Sequence, residues 1–322
     1  MLRVRWHKPR TPRPLRLAAL TLAATLAAAS VAAPGLAAGA KPEGFASSED
    51  AVTALVTAAR ADAPRDLLKV LGAAGRKLVY SGDPVADKEG RAKFVASYDE
   101  AHKIVADGDA KAVLDIGSDD WPFPIPLVKE ANAWHFDTKA AEREILARRV
   151  GRNELNTIEV CRAYVEAQQE FASKDRLGDG LREYAMKFRS SPGKHDGLFW
   201  PANAGEEESP LGPLVASARA EGYGPRSEGA KPAPFHGYYF RILTRQGKDA
   251  PGGAYSYVVK GHMIGGFALV AFPAKYRDSG VTTFIVNQDG VVYQKDLGPK
   301  TADVARRMTA FDPDASWTKV AP

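Results

Sequence analysis

Apolar positions recur at steps of three and four through the first part of the chain and at steps of two through much of the rest. In "SSEDAVTALVTAARA", Val52, Leu55, Val56 and Ala59 share one helical face behind Ser47 and Asp50, which stand at capping-box spacing. "RDLLKVLG" predicts a short helix ending at Gly72, and "KEGRAKFVASYDEAHKIV" another with Phe94, Val95, Tyr98 and His102 on its apolar face. Strand-like runs follow in "AKAVLDIG", "FPIPLVKE" and "AWHFDT", with Asn132 in the last connection. Helices first and a returning antiparallel sheet afterwards predict an α+β unit over residues 41–150.

A second unit, residues 151–322, is predicted from the next change of period. "NELNTIEVCRAYVEAQQEFAS" places Leu155, Ile158, Cys161, Val165, Gln168 and Phe171 or Ala172 in one helical stripe. Residues 190–235 are rich in Pro, Gly, Ser and Glu, which predicts long surface loops with little regular structure. From "GYYFRILTRQ" onward, strands and turns alternate through "AYSYVVKG", "GGFALVAFP", "VTTFIVNQDG" and "VVYQKDLG". They predict an antiparallel sheet of four or five strands on the long helix, with the tail "FDPDASWTKVAP" over its edge. In "VNQDGVV", Asp289 and Gly290 between strand formers predict a tight turn rather than a ligand loop.

The leader changes the bulk properties. Arg3, Arg5, Lys8, Arg10, Arg13 and Arg16 precede an apolar, Ala-rich stretch, and Ala38 and Ala40 supply a small-residue cleavage pattern. That layout predicts a signal peptide over residues 1–40, removed on export to the periplasm or beyond, leaving no stable membrane span. Of 44 Lys and Arg, 38 remain after it, against 39 Asp and Glu. The pI near 9.1 therefore belongs to the leader, and a balanced mature chain argues against nucleic acid as a partner. Cys161 is the only cysteine, so no internal disulfide forms, and its place on a helix face predicts a small core hydrophobe.

Candidate chemistry is sparse. "DRLGDGLRE" puts Asp175, Asp179 and Gly180 at the first, fifth and sixth places of a calcium loop, with Glu183 at the ninth, so these three acids are the candidate metal ligands. Leu177 and Met186 stand where two further oxygen donors belong, and no cofactor is otherwise expected. His195 with Asp196, and His236, are the candidate general bases of a hydrolytic site, because imidazole titrates near neutrality. No nucleophile elbow, phosphate loop, dinucleotide fingerprint or H-E-x-x-H motif accompanies them. Trp121, Phe123 and Trp134 in "DDWPFPIPLVKEANAWHFDT", and Phe199 and Trp200 in "SSPGKHDGLFWP", are candidates for ligand or partner binding. Exposed, the Pro-rich stretch would recognise a partner; buried, it would be core with a stiff approach, the reading we favour.

The ordered motifs "DDWPFPIPLVK", "WHFDT", "GRNEL", "CRAYVEAQQEFA", "SSPGKHDGLFWP", "SPLGPL", "HGYYFRILTRQG" and "GGFALVAFPAKY" resemble an exported bacterial protein family catalogued as domain of unknown function 2950. The resemblance covers nearly all of residues 45–318 and implies no established activity. Its members tend to carry "DRDGDG" where this chain has "DRLGDG", which weakens the calcium reading, and an Arg where this chain has His135. More loosely, residues 41–150 resemble an NTF2-like or cystatin-like cone, and residues 151–322 a pilin-like helix on a sheet; neither likeness implies function. The expectation is a non-enzymatic envelope protein that binds a partner or ligand. The alternatives are a small-molecule carrier using the cone and a periplasmic hydrolase using His195 and His236.

Overall fold

The Ser47 hydroxyl accepts the Asp50 amide at 3.0 Å and so caps α1, Ser48–Arg60, as its spacing predicts. The computed structural model describes residues 41–224 and 232–321; the predicted signal peptide lies outside them. Helices α2 (Pro64–Leu71), α3 (Arg76–Val79) and α4 (Pro84–Glu100) follow α1. The chain then forms strands β1 (His102–Ala106), β2 (Lys111–Ile116), β3 (Trp121–Pro122), β4 (Leu127–Glu130) and β5 (Ala133–Phe136). These make one antiparallel sheet in the order β1-β2-β4-β5, with β3 also paired to β2. Leu55, Leu67 and Leu71 from the helices and Leu114, Leu127 and Phe136 from the sheet share a buried core. His102 leaves the predicted helix and opens β1, because Ala101 turns extended; its ring still stacks on Tyr98 at 3.7 Å.

Helix α5 runs unbroken from Thr138 to Ala172, 35 residues, through the expected boundary between units and through Gly151. The Asp137 carboxylate accepts the Ala140 amide at 3.1 Å and starts it early. Strong helix formers in "KAAEREILARR" then outweigh the roughly 1 kcal/mol that a mid-helix glycine costs. The inward face is Asn153, Thr157, Cys161, Tyr164, Gln168 and Phe171. Leu155, expected in that stripe, is 66% exposed: two steps of about 100° from Asn153 put it on the other side.

The second sheet is built from β6 (Tyr238–Leu243), β11 (Ala268–Pro273), β12 (Thr282–Asn287), β13 (Tyr293–Asp296) and β14 (Thr318–Lys319). Its order is β14-β13-β12-β11-β6, antiparallel throughout, so the tail completes the sheet edge with a strand. Two small ribbons stand beside it, β7 (Arg245–Gln246) with β8 (Tyr255–Ser256), and β9 (Val258–Val259) with β10 (His262–Met263). Every residue of β11 is buried, and α5 packs on it with Tyr164 donating to the Ala268 carbonyl at 3.2 Å. Helix α6 (Gly212–Ala220) lies where the sequence predicts loops, and a further short helix, α7 (Thr301–Arg307), precedes the tail. Asp289 and Gly290 form the expected turn, with Gly290 at φ +74° and its amide donating to the Asn287 carbonyl.

The described residues form one compact unit, with separate cores for the two parts. The architecture is α+β, as expected. No helix among the described residues is long and apolar enough to cross a membrane.

Cys161 is fully buried in the second core, and burial pushes its thiol up to about 12. The native protein is therefore expected to resist Ellman's reagent at pH 8 and to release one equivalent of thiol on unfolding in guanidinium. Rapid labelling of the folded chain would contradict this placement.

Candidate functional site

The first part of the chain does not fill its own interior. Helices α1, α2 and α4 and the segment at Phe123–Ile125 leave a cavity of about 270 Å³ that α5 closes on one side. Its apolar depth is Leu55, Leu67, Leu71 and Ile125, all buried, with Phe94 and Phe123 packed against each other at 5.0 Å. Gly90 of α4 and Arg152 of α5 are exposed lining residues, so the cavity reaches solvent beside them. A Cβ added at Gly90 would meet no atom within 4 Å.

One carboxylate and three guanidiniums line the same cavity. Asp87 accepts the Ser81 amide at 3.0 Å, and burial holds its carboxyl above the usual aspartate value despite that bond. Arg149 donates to the Lys77 and Leu78 carbonyls at 2.6 and 2.8 Å, and burial lowers its pKa. Arg91 pairs with Asp62 at 2.7 Å. Arg152 makes no ion pair among the described residues. Five guanidinium N–H groups per arginine leave Arg149 donors to spare. A desolvated cation above an apolar chamber suits an anionic head on an apolar body.

The residues singled out from sequence are scattered around this chamber. Phe123 lines it; Trp121 and Trp134 do not. Trp121, expected to be core, is 56% exposed under the Arg148 guanidinium at 5.5 Å, because the two-residue β3 keeps it on the surface. Trp134 packs half-buried on the first core. Phe199 and Trp200 line a second cavity of about 250 Å³ with Ser209 and Arg219. Trp200 is buried and donates to the Glu207 carbonyl at 3.0 Å.

The candidate general bases go separate ways. His195 stacks on Trp200 at 4.2 Å, whereas Asp196 accepts Lys187 at 2.7 Å and the Ser191 amide at 2.7 Å. Burial works to raise the Asp196 carboxyl, but these bonds outweigh it and hold it down to about 2, the state of a loop staple. His236 lies 3.2 Å from Glu221 and 3.3 Å from Asn156, and shares no partner with His195. Neither imidazole lines either cavity.

The acidic loop is brought together only in part. Asp175 turns its oxygens onto the Gly178 and Gly180 amides at 2.7 and 2.9 Å, and these bonds, Gly180's first, lower its pKa. Asp179 and Glu183 meet each other and a residue the sequence reading passed over, His262 of β10. That histidine stands 79 positions from Glu183 in a two-residue strand, with no spacing motif to mark it.

Compared with known proteins, residues 43–320 match the model of a family described as "Protein of unknown function (DUF2950)". No curated protein and no solved structure matches the chain.

Proposed function

The chain belongs to the DUF2950 family, and from the chamber beside α4 we propose that it is a non-enzymatic binding protein for a small molecule with an apolar body and an anionic head. The observation that carries this reading is the join of the apolar chamber to Arg149 and Arg152. At about 270 Å³ the chamber is just below the usual ligand-site range of roughly 300–1,000 Å³, so it suits a small ligand. A medium-chain carboxylate or an aryl anion fits that description. The separate partners of His195 and His236 weigh against hydrolysis. An NTF2-like or cystatin-like cone is the fold reading that goes with a ligand chamber, and a pilin-like second part goes with a scaffold. The basic, then Ala-rich, leader supports placing this binding step in the periplasm.

The test uses anilinonaphthalene sulfonate, whose head stays ionised across the working pH range. The mature protein is expected to bind one equivalent saturably, with decanoate displacing it. Gly90→Phe projects a ring into the open part of the chamber and is expected to weaken binding at least about tenfold. The same variant leaves no steric clash at the backbone, so its thermal midpoint is expected to hold. Absence of saturable binding, or binding by Gly90→Phe equal to wild type, would overturn the reading.

A further inference from the structure

Glu183 is a buried carboxylate whose only basic neighbour within ion-pair distance, among the described residues, is His262. One of its oxygens, Oε2, accepts the Met263 amide at 3.2 Å, and the other, Oε1, lies 3.3 Å from His262 Nδ1. A second carboxylate converges on the same nitrogen, with Asp179 Oδ2 at 3.5 Å. One donor atom from each of the three residues lies within 4.8 Å of the others. Two anionic groups drawn together with one of them out of water are costly unless a cation stands between them.

We propose that Asp179, Glu183 and His262 hold a zinc-type divalent transition-metal ion. Zinc at about 2.0–2.2 Å from nitrogen and oxygen donors sets tetrahedral donor–donor edges of roughly 3.3–3.6 Å. The two edges to His262 Nδ1, 3.3 and 3.5 Å, already have that length. The imidazole decides the metal class: calcium and magnesium take oxygen donors, whereas nitrogen with carboxylates suits zinc and its first-row neighbours.

The donors are held before any ion arrives. Asp175 secures the loop ahead of Asp179 through the Gly178 and Gly180 amides. The Tyr184 amide donates to the Met263 carbonyl at 2.8 Å while Met263 donates to Glu183, locking the loop against β10. Asp179 and His262 remain about one-third exposed, at 33% and 35%, so the fourth position is open to water. The ion would join the 174–186 loop to the β9–β10 ribbon.

The rival arrangement is a protonated His262 acting as sole counter-ion, and metal titration separates the two. The mature chain, stripped with chelator, is titrated with Zn²⁺ by calorimetry and with Co²⁺ by visible absorption. One ion per chain is expected, with the intense d–d bands of four-coordinate cobalt. His262→Ala and Asp179→Asn are each expected to lower zinc affinity by at least about a hundredfold, beyond the 10–100-fold that loss of an outer-shell partner costs. Both residues are partly exposed, so these variants keep the test clear of the unfolding that replacing buried Glu183 would risk. No zinc binding at micromolar concentration, equal binding by both variants, or calcium bound as tightly as zinc would each overturn the proposal.

Discussion

Asp83→Ala is expected to destabilise the fold by about 3–5 kcal/mol, measured by urea unfolding of the mature chain at pH 7. The residue is 1% exposed, and all its help comes from four donors. Oδ1 caps α4 by accepting the Val85 and Ala86 amides, each at 3.2 Å, a role worth about 0.5–2 kcal/mol. Oδ2 accepts the Tyr223 hydroxyl at 2.8 Å and the Gly237 amide at 2.9 Å. Hydrogen bonds to a charged acceptor contribute about 1.5–3 kcal/mol each, and alanine would leave buried donors behind. The sum is not additive, because removing the carboxylate also relieves its own desolvation. Tyr223→Phe removes one of the four bonds and is expected to cost about 1–2 kcal/mol. Burial first, and then the bond to Asp83, push the Tyr223 phenol far up, which agrees with a donor locked to a buried anion. An Asp83→Ala protein within 1 kcal/mol of wild type would refute this account.

The position matters for more than stability. Through Tyr223 and Gly237, Asp83 ties the first turn of α4 to the end of α6 and the start of β6. Gly237 has φ +76°, and a side chain there would come within 2.6 Å of the Asn153 amide nitrogen, itself bonded to the Ser279 carbonyl. The α4 turn that carries Asp87 and Gly90 is thus positioned from the second part of the chain.

How far the sequence discloses this depends on the range of the interaction. The cap at Ser47, the turn at Gly290 and the buried helix face through Cys161 and Phe171 follow from residues within a few positions of one another, and they are where the pattern puts them. Leu155 misleads because periodicity alone cannot tell which face of a long helix meets a sheet, and here polar Asn153 and Thr157 turn inward. Helix α6 is hidden in a Pro- and Gly-rich stretch, although Pro213 in its first turn is a position that proline favours. Neither the chamber nor the Asp179–Glu183–His262 cluster is legible, since each gathers side chains from elements far apart in the chain. Of the candidate binding residues only Phe123 lines the chamber, and the prolines on either side of it mark an extended segment rather than a cavity.

Arg149→Met is expected to weaken binding of the sulfonate probe by about 10–100-fold, the equivalent of one charge-assisted hydrogen bond of roughly 1.5–3 kcal/mol. Methionine keeps the apolar stem of the side chain, so a purely hydrophobic site would lose little. Asp87 supplies the complementary test through pH. Burial, the larger influence, raises its folded pKa above the ordinary 3.8, against the pull of Ser81, Arg149 and Arg91. The folded state therefore holds the proton more tightly than the unfolded chain, and this group's contribution to stability falls as pH rises from 3.8 through the folded value. The same protonation removes a negative charge from beside Arg149. Affinity for the sulfonate is thus expected to rise on acidification through that window, and Asp87→Asn is expected to bind tightly at neutral pH with a flat profile. Electrostatics local to the chamber predict opposite signs for the two variants, weaker for Arg149→Met and tighter for Asp87→Asn. A nonspecific hydrophobic surface predicts neither, so parallel titrations of both from pH 7.5 down through the Asp87 transition separate a built anion site from simple stickiness.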